Sequence, residues 1–281
     1  MKILITGKDG QVGWELQRSL AVLGVVLATD RGALDLCDSD AIRRYVRKAE
    51  PDIIVNAAAY TAVDKAESEP AVAMQVNAVA PGILAEEAGS LGALLVHYST
   101  DYVFDGRKPS AYKEDDPPNP LSVYGRTKLE GEQAVVASKC RHLIFRTSWV
   151  YGSRGRNFLL TILKAARERP ELRVVDDQFG APTSCLAIAA ATTRALQMPS
   201  ADGLYHMTAA GRTSWFGFAQ AILRAAAIPT PVAPIRSDQY PTKATRPCNS
   251  VLDNSRLKEA FGMSLPDWGS QLEQVMAQIA Q

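Results

Sequence analysis

The sequence predicts an α/β protein with a doubly wound parallel sheet and a smaller α-rich C-terminal domain. Two observations predict the sheet: short apolar runs alternate with longer helical patterns in the first half, and glycines join the first run to the first helical pattern. The loss of this rhythm in the second half predicts the smaller domain. We expect one domain over residues 1–150 and another over 151–281, with a soft boundary at which segments could interleave.

Five apolar runs in the first half predict parallel strands. They hardly alternate in polarity, so we expect both faces of the sheet to be buried. The runs are KILIT (2–6), VVLAT (25–29), DIIVN (52–56), ALLVHYS (93–99) and HLIFRT (142–147). The patterns at 11–24, 39–50 and 71–92 are long enough for helices that cross back over the sheet.

The second half is less regular. It contains two short strand-like runs, at 172–176 and at 203–207, and the second of these could return to the main sheet. A proline-rich stretch extends from 229 to 247. The helical patterns occupy 157–169, 186–197, 214–227 and 265–280.

Composition excludes several classes of protein. Of 281 residues, 47% are hydrophobic and 22% charged, and the formal net charge is +1, which is typical of a globular protein without a nucleic acid or a membrane as its partner. The four cysteines are scattered, with no metal-ligand spacing. Because the first residues lack the pattern of a signal peptide, we expect a cytoplasmic location.

The stretch ITGKDGQVG places Gly7, Gly10 and Gly13 between the first strand and the first helix. Glycines there let backbone N–H groups approach a pyrophosphate at the helix N-terminus, which is typical of a Rossmann-like dinucleotide site. The second strand ends at Asp30 and Arg31. A carboxylate can accept from the adenine ribose and an arginine can neutralise a 2′-phosphate, so NADH and NADPH both remain possible cofactors.

The fourth strand ends in Ser99, Thr100 and Asp101, at the sheet edge where such folds bind ligands. Further on, Tyr124 and Lys128 are four residues apart and share one face of a predicted helix. A carbonyl that receives hydride needs a proton donor and hydrogen bonds to its oxygen. Tyr124 can donate and Thr100 can bond the same oxygen. We expect the Lys128 ammonium to lower the pKa of Tyr124 and to reach the nicotinamide ribose.

Six motifs together resemble a known family: TGKDGQVG, NAAAYTAVDKAE, YSTDYVFDG, YGRTK, RTSWVYG and DQFGAPTS. The chain resembles the extended short-chain dehydrogenase/reductases and, among them, the dTDP-4-dehydrorhamnose reductase family over essentially its whole length. The resemblance implies a Rossmann domain followed by a substrate-binding domain. It also implies reduction of the C4 ketone of dTDP-4-dehydro-L-rhamnose by NADPH or NADH, a step toward cell-surface polysaccharide.

The same resemblance implies residue roles. The catalytic set is Thr100, Tyr124 and Lys128. Substrate contacts are Thr100, Asp101, Tyr124 and Trp149, and the diphosphate contacts would be Asn157, Arg246 and Asn249. Besides Gly7 and Arg31, which the glycine turn and the end of the second strand already indicate, cofactor contacts are Gly10, Gln11, Val12, Asp30, Asp35, Leu36, Ala59, Tyr60, Thr61, Tyr98, Tyr124 and Lys128.

Some relatives bind Mg²⁺ at a dimer interface, and Glu15 matches one of the ligands. The segment after DQFGAPT has no carboxylate that could complete the site, so we expect no metal and either a monomer or a homodimer. Two other functions stay open: a nucleotide-sugar epimerase or dehydratase of the same fold, and a non-catalytic NAD(P)-binding regulatory subunit. His97, His142 and His206 lie in strand-like runs and are expected to be structural.

Overall fold

A computed structural model describes residues 1–198 and 202–279. Within them, a parallel six-stranded sheet has the order β2-β1-β3-β4-β5-β10. Its strands are β1 (Lys2–Thr6), β2 (Val25–Thr29), β3 (Ile53–Asn56), β4 (Leu94–Thr100), β5 (His142–Thr147) and β10 (Gly203–His206). The predicted α/β class with a parallel sheet is therefore confirmed.

Register across the sheet aligns the strand ends that carry function. Thr6 of β1 lies opposite Asn56 of β3, which lies opposite His97 of β4, and Thr100 pairs with Thr147 of β5. Strands β3 and β4 are buried along their whole length, as continuous apolar runs predict. Polar residues at the carboxyl ends of the central strands therefore meet at one edge of the sheet.

Helices cover both faces of the sheet. The helices in the described part of the chain are α1 (Gln11–Ser19), α2 (Ser39–Ala49), α3 (Val63–Ala66), α4 (Pro70–Met74), α5 (Ala80–Leu91), α6 (Val123–Ala137), α7 (Phe158–Glu168), α8 (Cys185–Leu196), α9 (Trp215–Ala225), α10 (Ser255–Phe261) and α11 (Trp268–Ile279). Helices α1, α8 and α10 pack on one face, and α2, α5 and α6 on the other. The last helix was predicted to reach 280, which lies outside the described residues.

One helix predicted over 71–92 is divided in the structure. Between α4 and α5, the turn Gln75–Val79 has π-helical hydrogen bonding. The wider turn carries buried Asn77, whose side-chain carbonyl accepts from Tyr60 N at 2.8 Å and whose amide donates to Thr127 Oγ1 at 3.1 Å. The irregular turn thus joins α6 to the loop after β3.

The second half forms its own core and also completes the sheet. Helices α7, α9 and α11 surround an apolar cluster, beside short strands β6 (Val150–Tyr151), β7 (Leu172–Val175), β8 (Phe179–Gly180), β9 (Thr183–Ser184), β11 (Thr213–Ser214) and β12 (Val232–Ile235). Strand β10 returns to the main sheet beside β5, so the sheet draws on both halves of the chain. Among the described helices, none is long and apolar enough to span a bilayer.

Candidate active site

A cavity of about 710 Å³ opens at the carboxyl edge of the sheet, between the two halves of the chain. Its volume lies in the range of small-molecule and cofactor sites. It brings together all the residues predicted for the chemistry, the cofactor and the sugar: Gly7, Gly10, Gln11, Val12, Asp30, Arg31, Asp35, Leu36, Ala59, Tyr60, Thr61, Tyr98, Thr100, Asp101, Tyr124, Lys128 and Trp149.

The glycine turn forms one end of this cavity. Gly7 has φ +75°, which side chains rarely adopt, and a Cβ on Gly13 would lie 2.1 Å from Gly7 O. These glycines therefore let β1 turn closely into α1, which begins directly after Gly10. The exposed helix N-terminus is suited to the pyrophosphate of a dinucleotide, so the residues present fit the implied cofactor.

At the end of β2, charges of both signs lie at the cavity. Asp30 Oδ2 is 2.7 Å from Lys8 Nζ, and its Oδ1 accepts from Ala33 N at 2.8 Å. Hydrogen bonding to Lys8, above all, holds the pKa of Asp30 below its ordinary value. The neighbouring Arg31 side chain is 81% exposed. The ionised Asp30 carboxylate and the Arg31 cation, which both line the cavity, can thus meet either a ribose hydroxyl or a 2′-phosphate.

The middle of the cavity is lined by two fixed tyrosines. The Tyr60 hydroxyl donates to Glu69 Oε2 at 2.7 Å, while Asn77 holds the Tyr60 backbone. The Tyr98 hydroxyl is 2.7 Å from Thr192 Oγ1, and burial raises the pKa of Tyr98. Both hydroxyls are already occupied, so the rings rather than the hydroxyls are presented to a ligand.

Tyr124 and Thr100 meet at the end of β4. Ser122 caps α6 by accepting from Gly125 N at 3.1 Å, which places Tyr124 in the first helical turn. Burial raises the pKa of Tyr124 to about 12, although the Thr100 hydroxyl lowers it. Thr100 Oγ1 donates to Asp101 Oδ1 at 3.0 Å. Tyr124 is therefore a neutral phenol at pH 7 that can donate its proton.

Lys128 is buried one helical turn further on and is only 2% exposed. Its ammonium donates to Tyr98 O at 2.6 Å. Burial lowers the pKa of Lys128 to about 8, whereas Glu132 raises it. We predicted that Lys128 lowers the pKa of Tyr124; the pKa of this phenol nevertheless lies above its ordinary value, because burial has the largest effect on it.

The neighbouring Asp101 carboxyl is 2% exposed. Burial raises its pKa to about 7, and hydrogen bonds from Ser250 and Thr100 lower it. A carboxyl with this pKa changes charge near neutral pH, beside the proposed proton donor. Its charge can therefore affect binding of a ligand at this end of the cavity.

Trp149, which follows β5, and Trp215 of the second half form one wall of the cavity. Their rings stack with centroids 3.5 Å apart at an angle of 2°. Trp149 has φ +48°, a backbone conformation that costs energy for a residue with a Cβ and is often found at functional sites. The exposed Arg156 lines the same cavity. This wall combines aromatic surface with a cation.

The chain is similar to curated proteins along nearly all of its length. A family model described as "RmlD substrate binding domain" matches residues 1–281. A dTDP-4-dehydrorhamnose reductase of Burkholderia thailandensis is 52% identical, with 95% of each chain covered. The reductase of the same name from Escherichia coli K12 is 46% identical over 95% of this chain and 94% of its own. The chain belongs to the dTDP-4-dehydrorhamnose reductase family.

Solved members of this reductase family have the same fold. The dTDP-4-dehydrorhamnose reductase of Clostridium acetobutylicum is 39% identical, superposes with a TM-score of 0.97 and covers both chains fully. That of Bacillus anthracis, solved in complex with NADP, is 34% identical with a TM-score of 0.95 over 99% of each chain. The agreement confirms the Rossmann-like fold of the reductase family.

Three residues predicted to contact a diphosphate lie outside the cavity lining. Asn157 Nδ2 donates to Gln11 Oε1 at 2.9 Å, and its carbonyl caps α7. Arg246 pairs with Asp64 at 2.7 Å, and Asn249 donates to Lys108 O at 2.7 Å. Each holds two chain segments together, so their diphosphate role stays a prediction.

Several residues of the site were missed in the sequence. Trp215 lies far along the chain from the motifs, whereas Arg156 stands only four residues after RTSWVYG; nothing local marks either of them. Glu132 had a signal, because it follows Lys128 by four residues on the same helix. It forms a buried ion pair with Arg146 at 2.7 Å and accepts from the Ser99 hydroxyl. This pair is packed directly behind Lys128.

Glu15 does not fit a magnesium site. Its side chain is buried on α1 near Cys185, where α8 begins with Cys185, Leu186 and Ala187. Divalent cations of this kind prefer several oxygen ligands. Among the described residues, no cluster of three or more acidic, histidine or cysteine side chains is arranged to hold a metal.

Proposed function

We propose that this chain is a dTDP-4-dehydrorhamnose reductase, which reduces the C4 ketone of dTDP-4-dehydro-L-rhamnose to the alcohol with NADPH or NADH. The observation that carries the proposal is the meeting of Thr100, Tyr124 and Lys128 at the end of a cavity whose other end is a dinucleotide cradle. Family membership at 52% identity over 95% of the chain supports the substrate.

When bound, the nicotinamide supplies a hydride to the sugar ketone. The turn from Gly7 to Gly13 and the end of β2 hold the pyrophosphate and the adenosine, respectively. Tyr60 and Tyr98 line the cavity between this cofactor end and Thr100. The chain therefore orients the two reactants, which lowers the entropic cost of bringing them together.

The proton comes from Tyr124. As hydride reaches C4, negative charge develops on the ketone oxygen. The Tyr124 hydroxyl would donate to that oxygen, and so would Thr100 Oγ1 once its single hydrogen turns away from Asp101 Oδ1. Tyr124 then donates its proton and becomes a phenolate. The Lys128 ammonium, one helical turn away, would stabilise that phenolate, while burial keeps the pKa of the resting phenol above its ordinary value.

The wall formed by Trp149, Trp215 and Arg156 would hold the sugar nucleotide. Flat aromatic surface suits the sugar and the base, and the arginine can form charge-assisted hydrogen bonds with the diphosphate. Asp101 would bond a sugar hydroxyl. We further propose a cytoplasmic location and either a monomeric or a homodimeric state without a metal.

The site argues against dehydratase chemistry, because Tyr102 stands directly after Asp101, where dehydratases of this fold carry an added acid. Likeness to the UDP-glucose 4-epimerase of Thermus thermophilus, at 20% identity and a TM-score of 0.85, shows the fold alone. With the purified chain, the absorbance of NADPH should fall in proportion to the amount of dTDP-4-dehydro-L-rhamnose added. Product formed without cofactor consumption would contradict reduction, and NADPH binding without turnover would favour a regulatory role.

A further inference from the structure

A buried polar chain lies behind Lys128 and is not used by the reaction as described. His97 Nε2 is 3.3 Å from Lys128 Nζ, and His97 Nδ1 is 3.1 Å from the Asn56 amide nitrogen. Asn56 Oδ1 accepts from Thr6 Oγ1 at 2.6 Å. Thr6, Asn56 and His97 are at most 1% exposed, so bulk solvent does not compete for these contacts.

The donors and acceptors of this chain can be arranged in two ways. If the Asn56 amide donates to His97 Nδ1, the ring hydrogen of His97 must lie on Nε2. That hydrogen then points at the lone pair of a neutral Lys128 amine. The reverse amide orientation accepts from Nδ1–H, and Nε2 then accepts from the Lys128 ammonium. Thr6 can serve both orientations because a hydroxyl donates and accepts. The tautomer of His97 and the charge of Lys128 are therefore coupled.

The other groups around Lys128 do not replace this coupling. On α6, Glu132 raises the pKa of Lys128, and Arg146 of β5 holds Glu132 in place. Tyr124 lies one turn earlier on the same helix. On β4, Tyr98 contributes only a backbone carbonyl, which accepts in either charge state. Asp101 lies on the turn after β4. Burial and Lys128 both lower the pKa of His97, so its ring stays neutral and can respond only by changing its tautomer.

We propose that His97 is a positioning residue for Lys128, and that the Thr6–Asn56–His97 chain reverses its hydrogen bonds when Lys128 changes its charge. The Asn56 acceptor orientation favours the ammonium form, which is the form that supports proton donation by Tyr124. This inference rests on the proposed role of Lys128 in the reduction, but its first readout requires no turnover.

The direct test is nitrogen NMR of the whole protein labelled with ¹⁵N-histidine. The chain has three histidines, so His97 can be assigned by comparison with His97→Gln. Between about pH 6 and about pH 10, the range that brackets the lysine, the protonated nitrogen of His97 should change from Nδ1 to Nε2. A single tautomer throughout this range would overturn the proposal, whether or not the protein turns over the keto sugar.

A second variant tests the link to Lys128. Asn56→Asp places a carboxylate that only accepts, which should hold the hydrogen of His97 on Nδ1 and shift the alkaline limb of kcat/KM upward by roughly one pH unit. The matched control is Asn254→Asp, since Asn254 bonds Thr208 and leaves Lys128 untouched; its alkaline limb should match that of the unaltered protein. An unshifted limb in Asn56→Asp with Nδ1 held protonated would overturn the coupling.

Discussion

Two parts of the cavity lining, the proton-donating end and the wall of Trp149, Arg156 and Trp215, differ in how they are built. The proton-donating end consists of Thr100 at a strand end, and Tyr124 and Lys128 one helical turn apart, all supported by buried groups. In the wall, Trp149 follows β5, whereas Arg156 and Trp215 come from separate segments of the second half. Local geometry fixes the first end, whereas tertiary packing alone assembles the second.

The largest effect should come from removing the hydroxyl of Tyr124 at the proton-donating end. Tyr124→Phe keeps the ring but cannot donate to the alkoxide, so kcat should fall by about 10²–10⁴, the usual contribution of a general acid. Steady-state kinetics with the keto sugar measure kcat. NADPH affinity, measured by fluorescence titration, should stay close to that of the unaltered protein, and an unchanged kcat would remove Tyr124 from the mechanism.

The support behind this end should matter for stability. Arg146→Met leaves the Glu132 carboxylate buried without its ion-pair partner, so the free energy of unfolding should fall by about 3–5 kcal/mol. Urea unfolding measures the loss. The control is Lys164→Met, which removes an exposed pair at 3.9 Å with Glu168 and should cost no more than about 1 kcal/mol. Equal losses in the two variants would contradict the structural role of the buried pair.

A smaller kinetic effect is expected at Thr100. Thr100→Val deletes the hydroxyl that bonds the developing oxyanion, and kcat should fall by roughly 10². Thr100→Ser keeps a hydroxyl at the same atom and should retain most of the rate. If valine and serine behave alike, the hydroxyl does not act on the ketone oxygen.

Substitutions in the wall of Trp149, Arg156 and Trp215 should change KM rather than kcat. Arg156→Ala removes an exposed cation facing the cavity, so KM for the sugar nucleotide should rise about tenfold, the value of one charge-assisted hydrogen bond. Arg246→Ala should change KM less, because Arg246 is already engaged with Asp64 and Ala244 O. A larger KM change in Arg246→Ala than in Arg156→Ala would favour diphosphate contact by Arg246 and contradict the role proposed for Arg156.

Sequence reasoning was effective where function follows from a strand end or a helical turn. The sheet strands were predicted within one residue at each end, and Gly7, Thr100, Tyr124 and Lys128 were placed on the correct elements. The π-helical turn was missed because it depends on Asn77 bonding to Tyr60 and Thr127. No local pattern marks such a long-range bond.

The pKa values of buried groups could not be predicted from the sequence either. A lysine four residues from a tyrosine suggests a lowered phenol pKa, yet the pKa of Tyr124 rises to about 12 because the surrounding protein buries it. Burial depends on what the rest of the chain packs against the ring. The stack of Trp149 on Trp215 likewise joins residues that the sequence separates by 66 positions.

The most direct measurement of the central claim follows a deuterium label. The reactants are dTDP-4-dehydro-L-rhamnose and NADPH that is deuterated at the transferred position of nicotinamide C4. The product should carry one deuterium at sugar C4, and one NADPH should be oxidised for each product molecule formed. Mass spectrometry and NMR of the product measure both. Product lacking the label, or a labelled cofactor recovered unchanged after product has formed, would contradict hydride transfer to a ketone at this site.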